Sequence, residues 1–326
     1  MPDLGLSVSI CILNRNQRVL LNACLVSCIA ELEHSGISGE IIVVDNASDD
    51  GSAEMVATLF PAVRLIRNQK NKSFSSANNQ AIRSSSGRYV LVLNNDTVVL
   101  PGSLRILADY LDAHPRVAAV GPKLLNPDGS MQQGYHRSFP RLAELALLLF
   151  ALNRLWPGKI LFERARRLNG ALTEPTPIEQ IGGCALMVRR QVLDSAGPFD
   201  ESFHYWFEDV ELCHRIQRNG WLVYYLPQAR IVHHGGATFA SMPAPEQLML
   251  YIAGVLLYFK KQKGVFQFVV LKGMAILALL LRVVIAGLLS ISPGAESRRR
   301  WSRKLTAYWR ILRVTVSGNG LRMARL

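Results

Sequence analysis

The chain has 326 residues, 49% of them hydrophobic, which is enough for one large or two smaller domains with real cores. Its formal net charge is +13, and from Lys260 onward there are 14 Lys and Arg against one acid, Glu296, while residues 1–259 balance at 23 of each sign. The surplus therefore belongs to the last fifth of the chain, and its partner is a nucleic acid or an anionic membrane. Five cysteines, at 11, 24, 28, 184 and 213, form no CxxC pair and no metal-type spacing, so they read as reduced, buried thiols in a cytosolic setting.

In chain order, MPDLGLSVSICILNRN has no basic leader, so a cleaved signal peptide is not expected. LSVSICIL (6–13) is a predicted strand, followed by a helix-like stretch with apolar residues at Val19, Leu20, Ala23, Cys24 and Leu25. EIIVVD (40–45) reads as a buried strand, AEMVATLF (53–60) as a helix, VRLIRN (63–68) as a short strand and SSANNQAIRSS (75–85) as a helix. RYVLVLNND (88–96) is another apolar run, SLRILADYLDAHP (103–115) a helix stopped by Pro115, and VAAVGPKLL (117–125) a further strand. This alternation predicts βαβ units: an α/β domain with a mostly parallel, Rossmann-like sheet and helices on both faces.

Ligands of such sheets bind at the carboxyl ends of the strands. Three strands end in polar clusters there: Asn14-Arg15, DNASDDGS (45–52) and NND (94–96). Neither G-x-G-x-x-G nor a P-loop follows a strand, so a nucleotide would be held by side-chain carboxylates and amides. Asp45, at a strand end, can accept the imide N–H of uracil or thymine. Asp96 follows two amides, Asn94 and Asn95, and a single carboxylate suffices for Mg²⁺ when a diphosphate and water complete the octahedron. The alternatives are plain turns and a cap for the helix at 103.

The order ILNRN, IIVVDNASDDGS, NKSFSSANNQAI, YVLVLNNDTVV, IGGCALMVRRQVLDSAGPFDESFHYWFEDVELCHRIQRNGW, RIVHHGGAT resembles family 2 glycosyltransferases of the GT-A fold, most of all their bacterial rhamnosyltransferase-like branch, over residues 6–260. The resemblance implies that Asp45 holds the nucleobase, that Asn14 and Asn78 line the nucleotide pocket beside Asn95, and that Asp96 meets a metal-bound diphosphate in place of the family's D-x-D. It also implies a divalent Mg²⁺ or Mn²⁺ cofactor, with His233 of the downstream H-x-x-G-x-[ST] as a second contact and His234 as its neighbour alternative. Asp209, after an aromatic and Glu208, would be the catalytic base. Asn94 replaces the first carboxylate of D-x-D, Ser73 replaces a glycine, and Ala81 replaces another.

Read physically, Glu208 and Asp209 start a helix that carries Leu212 and Ile216 on one face, Glu211 and Arg215 as i,i+4 partners, and Gly220 past its end. Acids at a helix start are stabilised by the macrodipole without any function. Inverting sugar transfer asks for a base that takes the acceptor hydroxyl proton and for charge relief on the departing diphosphate. Asp209 suits the first, with Glu208 orienting the acceptor or supporting Asp209, Trp206 stacking on a sugar face, and Arg137 either touching acceptor or phosphate or standing as a solvated loop arginine.

VFQFVVLKGMAILALLLRVVIAGLLSIS (265–292) is apolar but broken by Lys272 and Arg282, which fall about 80° apart on a helix. With RRRWSRKLTAYWRILR (298–313) it reads as an extension lying in the interface of an anionic membrane; a buried core helix or a spanning hairpin are the alternatives. The expected layout is a catalytic domain at 1–245 and a helical, basic, membrane-associated region at 246–326. The expected partners are a nucleoside-diphosphate sugar, a lipid-linked or glycan acceptor and the cytoplasmic membrane face, with no nucleic acid. A nucleotidylyltransferase would want a glycine-rich loop after the first strand, which ILNRNQRVLL lacks; a non-catalytic membrane scaffold is the other competitor.

Overall fold

The apolar runs become the centre of one nine-stranded sheet in the computed structural model, which describes residues 7–132, 138–152, 172–235 and 242–317. The first half runs β1 (Val8–Asn14), α1 (Arg18–Ser35), β2 (Gly39–Asp45), α2 (Ser52–Leu59), β3 (Arg64–Arg67), α3 (Phe74–Ser84), β4 (Tyr89–Asn94), β5 (Thr97–Val99), α4 (Ser103–Ala113) and β6 (Val117–Leu125). Then follow α5 (Leu142–Leu149), β7 (Thr176–Pro177), β8 (Ala185–Arg189), α6 (Arg190–Ala196), α7 (Glu208–Arg218) and β9 (Leu222–His233). The C-terminal helices are α8 (Ala244–Tyr258), a π-helical turn (Phe259–Lys263), α9 (Val265–Leu289) and α10 (Ala295–Ser317).

The strand order is β3-β2-β1-β4-β8-β6-β9-β5, with β7 on β9. It is parallel across β3-β2-β1-β4, after which β8 runs antiparallel between β4 and β6. β9 is parallel to β6 and antiparallel to β5. Residues on both faces of the central strands are buried: Ile10, Ile12, Val43 and Leu91 pack with α1, α2 and α4, and Cys11, Ile42, Val44 and Val92 are equally closed off. That is why these strands read as unbroken apolar runs rather than alternating ones. All five cysteines are free and buried.

Local signals place the helices. Ser73, the residue standing where the resemblance has glycine, caps α3 by accepting the Ser76 N–H at 3.2 Å. α1 turns Leu21, Cys24, Leu25 and Cys28 to the core, the i, i+3, i+4, i+7 stripe of a packed helix. Val19 is 81% exposed and Ala23 is also outside, so of the apolar residues noted in this stretch only Cys24 and Leu25 belong to the buried stripe.

The described residues form two compact units. The sheet and α1–α4, α6 and α7 make one, from residues up to 139, 172–202 and 208–235. The other holds 140–152, 203–207 and 242–317. Within it α9 and α10 pair antiparallel, as Lys272 Nζ donates to the Val316 carbonyl at 3.2 Å. α9 is long and apolar enough to cross a membrane by length and composition.

Candidate active site

The parallel register sets Asn14 of β1 opposite Asp45 of β2, and Leu13 opposite Asn94 of β4. The three polar strand ends therefore meet. Asn95 Nδ2 donates to Asn14 Oδ1 at 2.6 Å, and Asn14 Nδ2 donates to Asp45 Oδ1 and Ser48 Oγ, each at 3.3 Å. Asp45 Oδ2 accepts the Ser48 N–H at 3.1 Å, so the buried carboxylate is held at the strand tip by its own loop. The two neighbouring loops are stitched together: the Asn16 N–H donates to Ser48 Oγ, the Asp49 N–H to Asn16 Oδ1 and the Arg18 N–H to Asp50 Oδ2, at 3.0, 2.9 and 2.9 Å.

Asn78 does not join this array. Its amide Nδ2 donates back to the Phe74 carbonyl of its own helix at 3.0 Å. The adjacent Asn79, which the motif reading passed over, clamps a distant backbone: Nδ2 donates to the Phe199 carbonyl at 2.8 Å and Oδ1 accepts the Phe199 N–H at 3.0 Å. Asn46 plays a similar part, tying Asn71, Lys72 and Asn68 to the end of β2.

Asp96 and His233 come together through β5, whose Thr97 is in register with His233 of β9. His233 Nε2 lies 3.2 Å from Asp96 Oδ1 and 3.4 Å from Asn94 Nδ2. On the other side of the ring, Nδ1 is 2.7 Å from Gln132 Oε1. Asp96 Oδ1 is buried and accepts no hydrogen bond. Burial opposes the charge on Asp96, but the adjacent His233 outweighs it and holds the carboxyl below its ordinary range. A buried carboxylate oxygen facing an imidazole nitrogen suits a divalent cation completed by substrate oxygens and water. No group of three or more His, Cys, Asp and Glu side chains gathers at metal-ligand spacing among the described residues, so a cation here would depend on the diphosphate for its remaining contacts. His234, the neighbour alternative, is exposed.

At the start of α7, Asp209 Oδ2 accepts the Gly183 N–H at 2.8 Å and Oδ1 the Val210 N–H at 2.7 Å. Asp209 belongs to the same sheet end as Asp96: Cys184, whose carbonyl accepts the Asn94 N–H at 2.9 Å, has its thiol pushed up by burial and then by the charges of both Asp209 and Asp96. Glu208 is only 7% exposed, and its Oε2 makes no hydrogen bond. Burial, and after it the charge of Asp209, push the Glu208 carboxyl up to about 8, so the pair carries one proton at neutral pH. Glu211 and Arg215 form the expected pair at 2.8 Å, and Arg215 also donates to the carbonyls of Gly197 and Pro198 past the end of α6. Trp206 and Phe207 have φ of +64° and +71°, an unusual backbone for aromatics, and pack edge-on against Tyr251. Gly254 of α8 makes the room, since a Cβ there would sit 2.8 Å from the Phe207 ring and 3.1 Å from the Trp206 carbonyl. Arg137 lies outside the described residues.

Residues 7–195 match the pattern of the family described as Glycosyl transferase family 2. The chain belongs to glycosyl transferase family 2. Among its relatives is the N-acetylglucosaminyl-diphospho-decaprenol L-rhamnosyltransferase of Mycobacterium tuberculosis, 30% identical over 215 residues that cover 63% of this chain and 69% of the relative. The O-antigen biosynthesis protein RfbC of Myxococcus xanthus is 28% identical over 249 residues, 73% of this chain but only 18% of that much longer protein. Solved GT-A structures share the fold. A mannosyltransferase from Pyrobaculum calidifontis, in complex with GDP-Man and Mn²⁺, has a TM-score of 0.55 at 15% identity and covers 98% of this chain and 89% of its own. GalNAc-T7 with UDP, GalNAc and Mn²⁺ has a TM-score of 0.51 at 16% identity over 70% of this chain and 44% of its own.

As a family 2 glycosyltransferase the chain is an enzyme, and its sheet end gathers an amide-carboxylate array, an aspartate-histidine pair and a separate carboxylate on a helix N-terminus. Gln132 carried no signal in the sequence, and Gly183, in the glycine pair of IGGC, gave no sign of its partner. Each acts at long range, Gln132 on His233 and Gly183 on Asp209, and only the folded strands reveal the pairing.

Proposed function

We propose that the enzyme transfers a sugar, rhamnose, from a dTDP or UDP donor to a lipid-linked or cell-surface glycan acceptor, with inversion, at the cytoplasmic face of the membrane. The observation that carries the reading is the gathering of Asp209 and the Asp96–His233 pair around Cys184 at one end of the sheet. Support for rhamnose comes from the mycobacterial relative, whose name also specifies a diphospho-lipid acceptor.

In this reading Asp45, Asn14 and Asn95 receive the nucleotide, and the imide N–H of the base donates to Asp45. Asp96 and His233 would hold a Mg²⁺ or Mn²⁺ ion. The chemistry such an ion supplies is relief of the charge that grows on the departing diphosphate. Asp209 takes the proton of the acceptor hydroxyl while its oxygen bonds to the anomeric carbon and the bond from that carbon to the diphosphate oxygen breaks. The products are the glycosylated acceptor, the nucleoside diphosphate and a proton on Asp209. The Gly183 and Val210 N–H groups aim the carboxylate, and the neutral Glu208 beside it adds no second charge.

Asp209→Asn should lower transfer by about 10²–10⁴-fold while donor affinity stays within a few-fold. The measurement is product mass from UDP-, dTDP- and GDP-sugars, with donor binding read by thermal shift. Wild-type rates in Asp209→Asn would remove the base from this reading, and a preference for GDP-sugars would remove the pyrimidine donor.

A further inference from the structure

Downstream of β6 the sequence NPDGS folds as a tight turn. The Asn126 N–H donates to the Ser130 carbonyl at 2.8 Å, and Asp128 Oδ1 accepts from the Ser130 N–H and hydroxyl at 2.9 and 2.6 Å. The chain then returns along β6, where Leu125 bridges Met131 and the Gln132 N–H donates to the Leu124 carbonyl at 2.9 Å. This return delivers Gln132 to His233, 101 residues away, and the amide grips that residue twice. Nε2 donates to the His233 carbonyl at 3.1 Å, which fixes the amide's orientation and turns Oε1 to the ring, 2.7 Å from Nδ1. An amide oxygen can only accept, so it favours a proton on Nδ1 and leaves Nε2 as the nitrogen that faces Asp96. Nε2 lies 3.4 Å from Asn94 Nδ2, a donor, and 3.2 Å from Asp96 Oδ1.

Gly235 protects the grip. It has φ of +71°, and a Cβ built on it would lie 2.9 Å from Gln132 Nε2. The glycine after the two histidines is therefore the residue that leaves space for the amide, which gives a physical reason for part of the HHGG motif.

We propose that Gln132 is a positioning residue: it selects the His233 tautomer and points the Nε2 lone pair at the place where Asp96 Oδ1 waits for a cation. The proposal rests on the reading of Asp96 and His233 as the cation site. Removing Gln132 frees the ring to flip and to carry its proton on either nitrogen, and outer-shell partners of this kind typically change metal affinity about 10–100-fold.

The test uses the full chain labelled with ¹⁵N-histidine, without metal, and reads the ring nitrogens of His233, assigned by its loss in His233→Ala. Wild-type protein should show a protonated Nδ1 and a bare Nε2, and Gln132→Leu a mixture. Mn²⁺, added alone and with UDP or dTDP and followed by electron paramagnetic resonance, should bind about 10–100-fold more weakly to Gln132→Leu. Gln132→Glu, which keeps an acceptor for Nδ1, should recover most of that affinity. Gln132→Asn, too short to reach the ring, serves where the leucine variant fails to fold, and melting curves separate affinity from stability. A proton on Nε2 in wild-type protein, or unchanged tautomer and Mn²⁺ affinity in Gln132→Leu and Gln132→Asn, overturns the proposal. If the tautomer follows Gln132 but wild-type protein binds no Mn²⁺, the cation reading of Asp96 and His233 is what fails, and the ligand role of His233 fails with it.

Discussion

Glu208 and Asp209 are neighbours at the start of α7, yet their surroundings separate them. Asp209 is half-exposed and receives two backbone N–H groups, whereas Glu208 is closed off with one oxygen unpartnered. The consequence is a pH dependence with a definite sign. Glu208 loses its proton near its ordinary value of 4.5 when the chain is unfolded but near 8 when folded. The folded state therefore binds more protons in between, and the stability due to this group is full below about 4.5 and lost as the pH rises through about 8. Glu208→Gln, which imitates the neutral acid, should flatten that fall and melt on the order of a few degrees above wild type near pH 9; scanning calorimetry across pH checks it, and parallel profiles would mean that Glu208 is charged in the fold. At this scale Asn14, Asp45, Asn95 and Asp96 were legible because strand tips in a parallel sheet must converge. The positions of Gln132 and Asn79 were not, because an amide's partner a hundred residues away leaves no local trace. Asn78 shows the converse: its place in a double-Asn motif was plain, but its amide bonds its own helix.

The helices and strands depend on one another in ways that single segments hide. α4 has no side-chain cap of its own, and Gly102 stands at its N-cap. The buried Glu31 of α1 supplies the cap from outside, accepting the Gly102 and Leu104 N–H groups at 3.0 Å each. Glu31→Ala leaves one buried and one partly buried donor without acceptors and should cost about 1–3 kcal/mol in chemical denaturation, with Glu31→Gln in between. A loss under about 0.5 kcal/mol in the alanine variant would mean that water replaces the carboxylate. The same interdependence decides what could be read beforehand. β1, β2, β4 and β6 were legible as apolar runs, and α2, α3 and α4 were legible from their periodicity and stops. β5 is three residues and β7 two, too short for any pattern, and each exists only because β9 pairs with it. The antiparallel direction of β8 depends on its slot between β4 and β6, not on ALMVR itself.

Across the whole chain the surplus charge and the largest apolar face occur in the same unit. On α9, Phe266, Val269, Leu277, Leu280, Val284 and Leu288 form one exposed stripe at helical spacing, with Phe266 79% exposed. On α10, Arg299, Arg303, Arg310 and Arg313 form an exposed stripe of their own. Lys260, Lys261 and Lys263 precede α9, and Arg298 to Arg300 follow it, so both of its ends are basic. A spanning helix prefers that excess on one side only, whereas a helix lying in the interface has no such conflict. Binding to vesicles containing phosphatidylglycerol should exceed binding to phosphatidylcholine vesicles. It should weaken with salt, and fall at least about tenfold on neutralising the four arginines, each worth about 1 kcal/mol at an anionic surface. Cysteines placed at Lys260 and Ser292, flanking α9, should both be labelled from the outside of sealed vesicles; labelling of one alone would mean that α9 crosses.

The pairing of β5 with β9 also sets a schedule for synthesis. Thr97 is made early, but His233, its register partner, leaves the ribosome 136 residues later, and at about 5–20 residues per second that is a wait of roughly 7–27 s. β4 likewise stays one-sided until β8 arrives. During that interval the nascent sheet presents β4, an apolar strand edge, with nothing beside it, a state that invites pairing with other chains. The same long-range pairing that brings Asp96 to His233 leaves the newborn enzyme with an unpaired apolar edge for as long as synthesis of β8 and β9 takes.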